Sequence, residues 1–96
     1  MAIAHSYDMT AHAGREDALS EALEALAEAV KGISGSQGAM VLQDRKEPQR
    51  FLFMEFWEDE AARNAAGPML PKDVMGRIMA SVGGPLKMAG YDRVAG

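Results

Sequence analysis

The sequence has no cysteine, one tryptophan and an aromatic content of 6% in 96 residues. Without cysteine, no disulfide can staple the fold, and no thiolate can hold a metal or attack a substrate. Positive charge is also scarce: 10 basic residues face 14 acidic ones, for a formal charge of −4. Nucleic acid and anionic membranes need a basic surface, so neither is an expected partner. No apolar run is long enough to span a bilayer. The opening residues Met1 to His5 lack the cationic start and apolar stretch of a secretion signal, so a cytoplasmic location is expected. His5 and His12, with no cysteine beside them, make no recognised ligand spacing, and no metal is expected. No Walker loop, dinucleotide fingerprint or Ser/His/Asp order is present.

What remains is hydrophobic: 48% of the residues are apolar, enough to exclude disorder. The length suits one domain over 1–96 with a thin core. Ile3, His5, Tyr7 and Met9 alternate with Ala4, Ser6, Asp8 and Thr10, which predicts a strand over 3–10. From Gly14 to Lys31 the period changes. Leu19, Ala22, Leu23, Leu26 and Val30 form one helical stripe, and Asp17, Glu21, Glu24 and Glu28 form the opposite, solvated one. Gly32 is placed to stop that helix. A Gly/Ser connector over 33–38 leads to a strand over 39–43. The polar stretch 44–50, with Pro48, predicts a hairpin connection to a second strand, Phe51 to Trp57.

That second strand is apolar on both faces. Phe51, Phe53 and Trp57 point one way with Glu55, and Leu52, Met54 and Phe56 point the other. Asp59 is placed to cap a short helix over 59–66, which Gly67, Pro68 and Pro71 break. Val74, Met75, Ile78, Met79 and Val82 recur at helical spacing, Gly83-Gly84-Pro85 stops them, and 86–94 is a last strand. The order is the β-α-β-β-α-β pattern of a ferredoxin-like α+β fold with a four-stranded antiparallel sheet. Two helices cover one sheet face. The other needs a partner, and a second copy of the chain, forming a homodimer, is the economical one.

Each residue with chemical capacity has a structural alternative. Trp57 is a pocket wall that donates its indole N–H to a guest, or it is core. Glu55, among aromatics, is a general base, or a carboxylate paired with a cation such as Arg77 or Arg93. His5 is a proton acceptor for a phenolic substrate with Tyr7 orienting it, or a hydrogen-bonded core histidine. His12 lies in an exposed turn. Asn64 hydrogen-bonds a guest, or is a surface polar group. Met75 and Met79 are core first and pocket lining second, with Phe53 beside them.

Glu55-Phe56-Trp57-Glu58-Asp59-Glu60-Ala61-Ala62 resembles the Glu-x-Trp and acidic helix start of the antibiotic biosynthesis monooxygenase family, whose members are dimeric α+β barrels. The entry to the second strand, Gly35 to Leu42, is similar to the same family's. Ser34 and Ser36 stand where many relatives have proline and cysteine. Where many have a late helix histidine, this chain reads Arg63-Asn64-Ala65-Ala66. Haem-degrading members use that histidine and an asparagine near the place of Tyr7, so haem degradation is not implied. The resemblance implies a monooxygenase without cofactor, acting on a small aromatic molecule such as a polyketide-like phenol or hydroquinone. Trp57, His5, Tyr7 and Glu55 would be catalytic, and Asn64, Phe53, Met75 and Met79 would line the substrate site. The alternative is a non-catalytic small-molecule-binding or stress-response dimer, or an isomerase, on the same barrel.

Overall fold

A computed structural model describes residues 1–96. The elements run β1 (Ile3–Thr10), α1 (Glu16–Lys31), β2 (Ser36–Gln43), β3 (Arg50–Trp57), α2 (Glu60–Ala66), a 3₁₀ turn (Gly67–Met69), α3 (Lys72–Ser81) and β4 (Lys87–Asp92). The four strands form one sheet in the order β2-β3-β1-β4, and every pairing is antiparallel. The expected ferredoxin-like β-α-β-β-α-β arrangement is present, with the second helix in two pieces. Pro68 sits in the 3₁₀ turn and Pro71 just before α3, where a missing N–H costs nothing.

The stripe of α1 behaves as its spacing predicts. Leu19, Ala22, Leu23, Leu26 and Val30 are buried, while Asp17, Glu21, Glu24 and Glu28 are exposed. Their core partners come from β3, where Phe51, Phe53 and Trp57 are fully buried. Burying a large apolar side chain is worth about 1.5–3 kcal/mol. The few tenths lost per like-charge pair on the acidic stripe is therefore outweighed.

Two boundaries differ from expectation. The strand predicted over 39–43 begins at Ser36, because a bulge between Ser36 and Ala39 lets pairing with β3 continue through the Gly/Ser segment. Gly38 takes φ +100 within that bulge, a conformation that favours glycine. The last strand is shorter than 86–94 and ends at Asp92. Gly35, at φ +84, brings the loop before β2 against α2, and a Cβ there would collide with that of Ala62. That contact fixes α2 over the sheet, and α2 carries part of the site.

The sheet has two unlike faces. The register sets Ile3 opposite Trp57, His5 opposite Glu55 and Tyr7 opposite Phe53, all on the helix-covered face. The other face carries Leu52, Met54 and Phe56, half-buried, with Met40, Leu42 and Tyr91 exposed. No helix lies on it. Arg93 stacks its guanidinium 5.3 Å from the centre of the Phe56 ring at one end. At the other end Asp8 takes two hydrogen bonds from Arg50, at 3.1 and 2.7 Å. No helix is long and apolar enough to cross a membrane.

Candidate active site

Between the sheet and the helices lie two adjoining cavities that share Tyr7, Glu55 and Leu70. The first, about 110 Å³, is apolar and lined by Phe53, Met75 and Met79 among others. The second, about 200 Å³, is lined by Trp57, Arg63 and Asn64. Strand alternation explains why Tyr7 and Glu55 meet there. They lie one pair apart on neighbouring antiparallel strands and point to the same face.

Tyr7 is the hub. Its hydroxyl donates to Glu55 Oε1 at 2.8 Å and accepts from Arg63 Nη2 at 3.1 Å. Arg63 Nε lies 3.6 Å from the same Glu55 oxygen, and Nη1 lies 3.6 Å from Glu60. Glu55 is buried, and a carboxylate there needs this cation. Both of these contacts fall on Oε1. Burial pushes the Tyr7 hydroxyl above its ordinary pKa. The Arg63 hydrogen bond opposes that rise, and the Glu55 charge adds to it. Tyr7 therefore stays a neutral donor. Arg63 is held still more firmly protonated, chiefly by its bond to Tyr7.

Trp57 and Arg63 line the second cavity, and one polar atom of each, Trp57 Nε1 and Arg63 Nε, is buried without a hydrogen-bond partner. Unsatisfied buried donors are uncommon and costly. Trp57 is 1% exposed, so its body is core.

The remaining expected residues are placed as follows. His5 lies on the right face, but its ring packs over Gly90 and its Nε2 lies 3.4 Å from Glu60, and it lines neither cavity. Asn64 is exposed and stands at the second cavity's rim. Met75 is partly buried against the core. Met79 is 62% exposed, so it is not the core residue its spacing predicts, and it lines the first cavity from outside. The cation for Glu55 is Arg63, neither Arg77 nor Arg93. Arg77 is exposed, and Arg93 is taken up by Phe56 and Gln37. Arg63 has a signal in the sequence: it stands three residues before Ala66, the buried residue of α2, and so shares its inward side. Asp59 fixes that orientation by accepting from the Ala62 N–H at 2.8 Å. No group of three or more His, Cys, Asp or Glu side chains is placed to hold a metal ion.

A family model described as antibiotic biosynthesis monooxygenase matches residues 3–66, a span that holds Tyr7, Glu55, Trp57 and Arg63. The chain belongs to that family. Three solved structures place its fold beside other proteins. A candidate antibiotic biosynthesis monooxygenase from Chloroflexus aurantiacus is 23% identical with a TM-score of 0.83, over 100% of this chain and 96% of that one. SnoaB, a cofactor-independent oxygenase from Streptomyces nogalater, is 13% identical with a TM-score of 0.82, over 95% and 91%. A conserved protein from Methanosarcina mazei is 15% identical with a TM-score of 0.83, over 95% and 91%. At these identities the likeness is one of fold. No curated protein matches the sequence. In this member of the antibiotic biosynthesis monooxygenase family, both Glu55 and Trp57 of the Glu-x-Trp triplet are buried residues lining one cavity.

Proposed function

We propose that this protein is a cofactor-independent monooxygenase that oxidises an electron-rich aromatic guest, an anthrone, phenol or hydroquinone, with dioxygen in the cleft between sheet and helices. The observation that carries this reading is the cavity lined together by Trp57, whose Nε1 is unpartnered, and by the Tyr7–Glu55–Arg63 cluster. The family and SnoaB's description as a cofactor-independent oxygenase support it.

In this account the guest is the reductant. Its ring lies along Phe53, Met75 and Met79, which exclude water. Trp57 Nε1 and Asn64 donate to its oxygen, and Glu55 Oε2 takes its proton. Tyr7 orients Glu55, and His5 steadies Glu60, which in turn steadies Arg63. An anthrone-like CH₂ becomes a carbonyl: one oxygen atom enters the ring, and the other leaves as water with the two hydrogens. The chain acts as one domain, and two copies pair through the open sheet face, whose Leu52, Met54 and Phe56 need cover.

The test is oxygen uptake with a panel of anthrones and naphthols, with and without a chelator. One dioxygen consumed per guest, unaffected by chelator and reduced on the order of a hundredfold in Trp57→Phe and Tyr7→Phe, is expected. Unchanged turnover in both variants would remove the site assignment. A second reading, a non-catalytic binder, draws on His5 lining neither cavity. A tightly held guest without oxygen uptake selects it.

A further inference from the structure

Of the three residues that line both cavities, Tyr7 and Glu55 belong to the sheet. Leu70 comes from the helical layer, in the break between the 3₁₀ turn and α3. The sheet's pair is held in place: the Tyr7 hydroxyl donates to Glu55 at 2.8 Å and accepts from Arg63 at 3.1 Å. The Leu70 side chain is held by packing, half-buried against the core. Its N–H bonds locally, to the Gly67 carbonyl at 3.3 Å. Pro68 and Pro71, before and after it, have no N–H to tie the break to the sheet. An apolar cavity of roughly 150 Å³ holds one benzene ring. The apolar cavity here, about 110 Å³, falls short of that figure, and the second, about 200 Å³, exceeds it by less than another fused ring needs. A fused-ring guest therefore fits neither cavity by itself and lies across both, past Leu70.

We infer that Leu70 is the specificity-determining residue for guest length: the oxygen-bearing ring lies in the Trp57 cavity, and a fused second ring extends beside Leu70 into the apolar one. The inference rests on the cleft being the guest site as proposed above, and it narrows the guest to fused-ring aromatics of naphthol size or longer. The passage between the cavities has a fixed floor, Tyr7 and Glu55, and an exchangeable roof, Leu70. A larger side chain at position 70 lowers the roof and a smaller one raises it. Neither change touches a hydrogen bond of the Tyr7–Glu55–Arg63 cluster. Apolar surface removed from water then favours whichever guest fills the space that is left.

The probes are phenol, 2-naphthol and 2-hydroxyanthracene, titrated into the full-length protein under nitrogen so that no guest is oxidised. Wild-type protein is expected to bind 2-naphthol on the order of tenfold more tightly than phenol. Hydrophobicity alone favours the longer guest at any apolar site, so the variants carry the test. Leu70→Phe should bring the naphthol-to-phenol ratio down to about one. Leu70→Ala should carry the preference onward, raising the affinity for hydroxyanthracene relative to 2-naphthol on the order of tenfold. Leu70→Val, a milder trim, should move the same ratio the same way by less. Ratios are taken within each variant, and thermal melts establish that each is folded, so a general loosening does not imitate the result. Equal ratios in wild type, Leu70→Phe and Leu70→Ala overturn the inference, as does a wild type that binds phenol as tightly as 2-naphthol. No binding of any probe to the wild type overturns it together with the guest site. The oxygenase proposal fails separately: length-dependent binding without oxygen uptake in air sinks only the oxygenase, and oxygen uptake with unchanged ratios sinks only the role of Leu70.

Discussion

The two faces of the sheet are built from the same strands and the same kinds of side chain, yet they carry different work. On β3, Phe51, Phe53 and Trp57 go under the helices, and Leu52, Met54 and Phe56 go to the open side. Under the helices the buried carboxylate is held in a connected set: Tyr7 to Glu55, Arg63 to both, Glu60 beyond. The open face keeps its charges at its ends, Asp8 with Arg50 at one and Arg93 at the other. Its middle is apolar but for Ser6. The one buried carboxylate, Glu55, lies where the proposed guest site needs it. A mostly apolar surface with charged ends suits the proposed contact with a second copy.

Substitutions on the two faces should therefore fail in different ways. The largest effect is expected from Trp57→Ala, which empties the core's largest fully buried side chain and should cost about 3–5 kcal/mol in denaturant unfolding. Met54→Asp should leave each protomer folded and separate the dimer, because a carboxylate would be buried unpaired between sheets. The expected loss is roughly 3–5 kcal/mol of association, read by sedimentation velocity. If Met54→Asp unfolds the chain instead, the division between the faces does not hold.

Tyr7→Phe ranks next. It removes the donor to Glu55 Oε1 and the acceptor for Arg63 Nη2 together, for about 1–3 kcal/mol. Its pH dependence has a definite sign. The Tyr7 pKa is raised in the fold, chiefly by burial, so its stabilising contribution is complete below the ordinary tyrosine pKa of 10.0. It is lost as pH climbs above that value, and the gap between wild type and Tyr7→Phe should close there.

The smallest effect is expected from Asp8→Asn at the edge of the open face, a few tenths of a kcal/mol. The Arg50 hydrogen bond holds the Asp8 pKa below its ordinary 3.8. The contribution is present above that pH and disappears in melts taken as pH falls below it.

Much of this contrast is legible in the sequence. The alternation of Phe51 to Trp57 announces two apolar faces before any pairing is known, and the stripe on α1 states which side of that helix is covered. Strand period also puts His5 with Tyr7 on one face of β1, and Glu55 with Trp57 on one face of β3; that the two faces coincide comes from the register. What period cannot supply is the reach of a side chain between elements distant in sequence. Tyr7 and Arg63 are 56 residues apart and meet only because Gly35 lets α2 approach the sheet. His5 shares the face of Tyr7 but is drawn aside to Glu60 over Gly90, where no side chain obstructs its ring. Met79 keeps helical spacing with Met75 while standing at a rim, because α3 packs mainly on α1 and leaves its flank open.

The central claim is that one face receives a guest and the other a second copy. Native mass spectrometry of the intact protein with an added 4-nitrophenol guest tests both halves at once. A dimer that takes up two guests, one per cleft, is the predicted result. A stable monomer, or a dimer that takes up no guest, would contradict it.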